Sequence, residues 1–209
     1  MNGAIRWRIV SLQAILVLVL GFCSGFLFYE SNFVQSMVKD QLTAQQIYFP
    51  PASQITAGGA LDPKEFPQEI RDQAGNQVTD GNQARIYGSD FIGKHLQGVA
   101  GGLTYAQMGL VSAPVQAQLA KTPKTDPQYA VLQGELATFA AQKDTLLNGE
   151  MLRATLLNSY GWWTVGVYAG YAAIGLMIAA LAVFGALFFE LFIARRKPQI
   201  IKVAHKLAA

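Results

Sequence analysis

The chain has 209 residues, 52% of them hydrophobic and only 14% charged, against about a quarter charged in an ordinary soluble domain. Its net charge of +3 comes from basic residues gathered at the two ends, while positions 31–160 hold nine basic and eleven acidic residues, which excludes a nucleic-acid footprint. One cysteine, Cys23, excludes an intrachain disulfide, and the small thiol is read as an apolar filler of its helix.

In chain order, Arg6 and Arg8 precede an uncharged run from Ile9 to Phe28. That run reaches the roughly 20 residues a helix needs to cross about 30 Å of hydrocarbon. It is read as a retained span and not a cleaved signal, since no clean small-x-small site follows and Phe22 before Cys23 does not suit lipoprotein processing. Phe33, Val34, Met37, Val38 and Leu42 continue an apolar stripe at helical spacing, so the helix is expected to project beyond the membrane. Tyr48-Phe49-Pro50-Pro51 ends it, because paired prolines cannot continue a helix.

Turn chemistry at Gly58-Gly59, Gly75-Asn76 and Asp80-Gly81 predicts an irregular connection. One short helix is expected there, starting at Asp62 with Pro63 in its first position and Glu65 completing a capping box. From Asn82 to about Ala100, the positions Ala84, Tyr87, Phe91, Leu96 and Val99 form an approximate helical stripe that Gly101-Gly102 stops. Thr104 and Gln107 have capping-box spacing and open a second helix that either ends near Ala113-Pro114 or continues with a kink. After a polar connector, Asp126-Pro127 starts a long helix that runs to Tyr160 and feeds a second uncharged run, Trp162 to Phe189. Arg195, Arg196, Lys197, Lys202 and Lys206 follow it. Basic residues flanking both spans on the terminal side predict that both ends are cytoplasmic.

The expected fold is all-α, with two transmembrane helices and an extracytoplasmic helical bundle inserted between them. Its divisions are a cytoplasmic N-terminus 1–8, span 9–29, an extracytoplasmic mainly helical domain 30–161, span 162–193, and a basic tail 194–209, in a multi-pass protein of the plasma membrane. The tail beyond Pro198 suits a short helix on the inner leaflet.

Gly21-x-x-x-Gly25 and Gly166-x-x-x-Gly170 are candidate association faces, because small residues four apart let helix backbones approach closely in lipid. Their depths predict that the two spans pack at Gly25 and Gly170. Trp162 and Trp163 are assigned to the aromatic belt at the outer interface. Glu190, after 28 uncharged residues, is costly unless it reaches the interface or a partner; snorkelling or pairing with Arg195 or Arg196 is expected ahead of an intersubunit contact.

Catalytic chemistry is not predicted. With His95 and His205 on opposite sides of the membrane, no histidine pair assembles within one chain. Gly101-Gly102 lacks the context of a phosphate loop, and the serines lack a histidine-acid context. No cofactor or metal is expected.

The segments Ala84-Arg85-Ile86-Tyr87, Phe91-Ile92-x-x-His95-Leu96, Ala100-Gly101-Gly102-Leu103-Thr104-Tyr105-Ala106 and Leu152-Arg153-Ala154 resemble a family of two-span membrane proteins from actinobacteria and related groups. Its members are of unknown function and often carry a ring-opening dioxygenase label, for which this chain has no ferrous-iron ligand set. The chain has a longer connector between Thr122 and Thr145 than shorter members. The resemblance implies the two-span topology and importance for His95, Gly101, Gly102, Thr104, Tyr105 and Arg153, which read structurally as a helix stop, a cap and a buried tyrosine.

The function expected is that of a non-catalytic accessory or scaffolding subunit, associating laterally with itself or with a larger membrane complex. Its partners are membrane lipid and other membrane subunits or a second copy, with no nucleic acid. The alternative is an extracytoplasmic sensor or ligand-binding protein acting through a separate partner.

Overall fold

The computed structural model describes residues 3–193; positions 1, 2 and 194–209, and with them Arg195, Arg196 and the expected tail helix, lie outside the described residues. The described chain is helical and contains no β-strand; a single antiparallel bridge joins Tyr48 and Gln77. It is dominated by α1 (Gly3–Gln45) and α6 (Pro127–Phe188). Between them lie the short α2 (Gln68–Arg71), α3 (Gly81–Arg85) and α4 (Gly93–Gly98), and the longer α5 (Tyr105–Leu119). A π-helical segment, Ile86–Ile92, joins α3 to α4, and a second, Phe189–Ile193, follows α6. Both long helices are long and apolar enough to cross a membrane.

Two compact units divide the chain: Met1–Gln35 with Val165–Ala209, and Ser36–Thr164. In the first unit, α1 and α6 run antiparallel. Ser24 Oγ donates a buried hydrogen bond of 2.7 Å to the carbonyl of Ala173, and Ser31 is buried beside Gly166 and Gly170. Away from that seam the side chains are large, apolar and exposed, among them Leu12, Leu18, Phe22, Tyr168, Ile178 and Leu181.

The second unit has a continuous core of Val38, Leu42, Phe49, Leu61, Phe66, Ile70, Val78, Ala84, Met108, Leu146 and Leu156. Gln46, at φ 52°, turns the chain out of α1. The backbone then pairs with the strand-like return, Phe49 N–H to Asn76 O at 2.9 Å and Val78 N–H to Ile47 O at 2.9 Å. These two bonds pin the irregular connection so that its apolar residues point inward.

The helix expected at Asp62 does not form. The Asp62 carboxylate accepts from the N–H groups of Gly58 (2.7 Å) and Lys64 (2.9 Å) and its carbonyl from the N–H of Phe66 (2.9 Å), which closes a single turn, and the α-helix of this stretch starts after Pro67. Pro67 has no N–H to bond the Pro63 carbonyl and biases Phe66 away from helical geometry, both of which favour ending the turn there. The Thr104–Gln107 capping box does form, with both reciprocal bonds, and α5 continues through Pro114 to Leu119. Asp126 turns its carboxylate to the N–H of Gln128 at 2.8 Å, at the start of α6.

The stripe expected from Asn82 to Ala100 is helical but not uniformly α. Ile86–Ile92 is π-helical, and within it Ile86, Gly88 and Ile92 are buried. The stop at Gly101-Gly102 is a left-handed turn, with φ of 52°, 65° and 83° at Ala100, Gly101 and Gly102.

Candidate functional site: a cleft beside Arg153

Within the second unit, the left-handed turn swings the chain back so that the end of α4 and the start of α5 face α6 across a cleft of about 460 Å³. Leu96, Leu103 and Leu146 supply its apolar wall, with Leu96 and Leu146 buried. Ser89, Gln97, Thr104 and Tyr105 bring hydroxyl and amide groups, and Glu150 and Arg153 bring the two charges. Gly93 and Gly102 form part of the lining without a side chain.

α6 approaches the π-helical segment closely. A Cβ on Gly88 would stand 3.4 Å from Leu156 Cβ, and one on Gly93 would stand 3.5 Å from Arg153 Nε. The guanidinium is thus laid against backbone, and its Nε is buried without a hydrogen-bond partner. Its Nη1 reaches Glu150, one turn earlier on α6, at 3.3 Å. Tyr105 is 41% exposed, which corrects the expectation of a buried tyrosine, and the Lys143 ammonium sits 4.7 Å from its ring centroid.

Of the resemblance residues, Gly102, Thr104, Tyr105 and Arg153 come together at the cleft, and Gly101 shapes the turn beside it. His95 does not line it. Its ring packs on Phe91 (centroids 4.3 Å) and stacks on Phe66 (5.6 Å), and its Nδ1 meets the Phe91 carbonyl at 2.8 Å. With Phe49–Tyr87 and Tyr87–Phe91 contacts at 5.1 and 5.0 Å, this makes an aromatic ladder running from the buried Phe49 to the exposed His95. Burial pushes the Tyr87 hydroxyl above its ordinary pKa. Near the ladder, Asp90 lies 3.7 Å from Arg85, which also pairs with Glu69. Burial raises the Asp90 carboxyl above the usual range, Arg85 opposes this, and Glu69 adds to it. Among the described residues, no three His, Cys, Asp or Glu side chains gather to hold a metal ion.

In the first unit, the small-residue motifs have unequal surroundings. Gly166 lies against Gln35, Val34 and the Ser31 carbonyl, and Gly170 against Ser31. Gly21 and Gly25 have nothing within 4 Å of an added Cβ, so the expected contact of Gly25 with Gly170 is replaced by one between Gly170 and Ser31. Ser24 and Ser31, the polar residues that sit in this seam, have no signature in spacing; their signal is only that a small hydroxyl in an apolar run needs a carbonyl partner.

Glu190 pairs with Arg6, Nε to Oε2 at 3.7 Å, and the same guanidinium donates to the Glu190 backbone carbonyl. The expected partners Arg195 and Arg196 lie outside the described residues. Trp162 is exposed, whereas Trp163, in the second unit, packs on Gly81 and the buried cluster.

No family model matches the chain, and no curated protein or solved structure matches it either. The chemistry of the cleft and of the helix pair therefore rests on their own residues.

Proposed function

We propose that the protein is a two-span membrane protein with both ends in the cytoplasm, a mainly helical domain outside, and a non-catalytic accessory or scaffolding role. In this reading the spans associate laterally, with a second copy or with a larger membrane complex. The observation that carries it is the difference between the two glycine motifs. The Gly166/Gly170 motif is occupied inside the unit by Ser31, Val34 and Gln35, while a Cβ added at Gly21 or Gly25 would meet nothing within 4 Å. In lipid, where apolar surface gives no drive to associate, a bare small-residue face is the surface on which another helix packs closely. The exposed Leu, Ile and Phe side chains around it suit contact with acyl chains.

Purification in mild detergent, after crosslinking in the membrane, tests the role. The reading predicts a dimer or a recovered partner, weakened by Gly21→Leu and Gly25→Leu. A monomer with no crosslinked partner overturns it.

A second reading, a ligand-binding or sensor protein acting through a separate partner, is favoured by the cleft and its under-satisfied arginine. Ligand-dependent thermal stabilisation of the full chain is its test.

A further inference from the structure

We infer that the cleft beside Arg153 binds a small zwitterion of the α-amino-acid type, its carboxylate on Arg153, its ammonium on Glu150 and its side chain on Leu96, Leu103 and Leu146. The inference rests on the second reading above and names its ligand class.

The volume, about 460 Å³, falls in the range of small-molecule sites, which combine apolar walls with a few convergent polar groups. The two charges at its edge belong to side chains one turn apart on α6, joined by a contact of 3.3 Å, with Arg153 36% and Glu150 50% exposed. A pair so open to solvent contributes little by its own contact, so a ligand can separate it at small cost. The guanidinium has five N–H donors. Glu150 engages Nη1, and Nε is buried against Gly93, so the Nη groups are what a ligand carboxylate would meet.

Charge selects the ligand. A simple anion on Arg153 would lie beside the Glu150 carboxylate, and a simple cation on Glu150 beside the guanidinium; each meets a like charge at close range. A molecule with a carboxylate and an ammonium on one carbon satisfies both groups at once. The Thr104 hydroxyl accepts the Gln107 N–H in the cap and keeps its own O–H to donate toward the carboxylate.

The test uses the full-length protein in lipid nanodiscs and titration calorimetry with three probes that share a ring: L-phenylalanine, 3-phenylpropanoate and 2-phenylethylamine. The zwitterion is expected to bind at least about tenfold tighter than either singly charged probe. Arg153→Gln is expected to weaken phenylalanine by about tenfold or more, with helicity by circular dichroism unchanged. Glu150→Gln should abolish the preference of zwitterion over anion, which a purely structural role for Glu150 would not do. Arg153-dependent binding of 3-phenylpropanoate as tight as phenylalanine overturns the zwitterion inference and leaves the cleft a ligand site. Binding of none of the three up to about 10 mM overturns the inference and the cleft reading together.

Discussion

Gly170 lies directly against Ser31: a Cβ at Gly170 would stand 2.9 Å from Ser31 Oγ, the atom that also accepts from Gln35 Nε2 at 3.0 Å. The absence of a side chain closes the helix pair here, whereas at Gly25 an added Cβ meets nothing within 4 Å. Gly170→Leu is therefore expected to destabilise the folded monomer by about 1–3 kcal/mol, the usual penalty of overpacking. Gly25→Leu should leave monomer stability unchanged and weaken lateral association instead. Denaturant titration in mixed micelles, with crosslinking of the same variants in membranes, separates the two effects. Equal loss of monomer stability in both would contradict the assignment of the two faces.

Two further glycines separate rigid from yielding neighbours. A Cβ on Gly81 would come 2.3 Å from Cβ and Cγ of Trp163, the base of a fixed side chain; one on Gly149 would come 2.5 Å from Leu96 Cδ2, the end of a flexible one. Gly81→Ala is expected to cost about 1–3 kcal/mol. Gly149→Ala, in the middle of α6, gains about 1 kcal/mol of helix propensity against the shift of Leu96 and should be near neutral. Thermal unfolding of the two variants gives the comparison, and a larger loss at Gly149 would contradict it.

How far these relationships are legible in the sequence depends on their range. The length of α1 and α6, the Thr104–Gln107 box and the glycine stop after α4 are local, set by spacing, capping and backbone freedom, and the sequence reading places them. Asp62 has every local sign of a cap, but Pro67 five residues on favours ending the helix after a single turn. The π-helical segment Ile86–Ile92 leaves no mark in the apolar stripe, whose step within it, Tyr87 to Phe91, is an ordinary four residues, so the geometry that lays Gly88 and Gly93 against α6 cannot be read from spacing. The pairing of Arg6 with Glu190, 184 positions apart, has no local signature, and neither does the convergence of Thr104, Tyr105 and Arg153 on one cleft. The depth estimate that pairs Gly25 with Gly170 fails because the two helices meet at Ser24–Ala173 and Ser31–Gly170, a register that side-chain packing sets.

Gln46 carries a left-handed backbone, φ 52°, at the end of α1, with its side chain exposed. An L-residue pays about 1–2 kcal/mol for that conformation, and glycine in its place loses about 0.5–1 kcal/mol of chain entropy on folding. Gln46→Gly is thus expected to raise stability by about 0.5–1 kcal/mol, read as a higher melting temperature. A lower one would show that the turn depends on the glutamine side chain.

Asp90 gives a pH dependence of defined sign. Its carboxyl is raised by burial and by Glu69, against the pull of Arg85, so the folded state holds its proton more tightly than the unfolded chain does. The stability it contributes is fully present below the ordinary carboxylate range and is lost as pH rises through the raised value. Asp90→Asn should therefore melt progressively higher than the parent protein as pH rises through that range, with a constant difference above it. Melting temperatures of both proteins between pH 3 and 8 provide the check; a difference that shrinks with rising pH would reverse the sign.

In the proposed topology α1 and α6 each cross the membrane once, with positions 30–161 outside. That topology is tested most directly by labelling intact cells with a membrane-impermeant maleimide in a Cys23→Ser background. Thr125→Cys is expected to label without permeabilisation and Lys206→Cys only after it. Labelling of Lys206→Cys on intact cells, or protection of Thr125→Cys until the membrane is opened, would contradict the account.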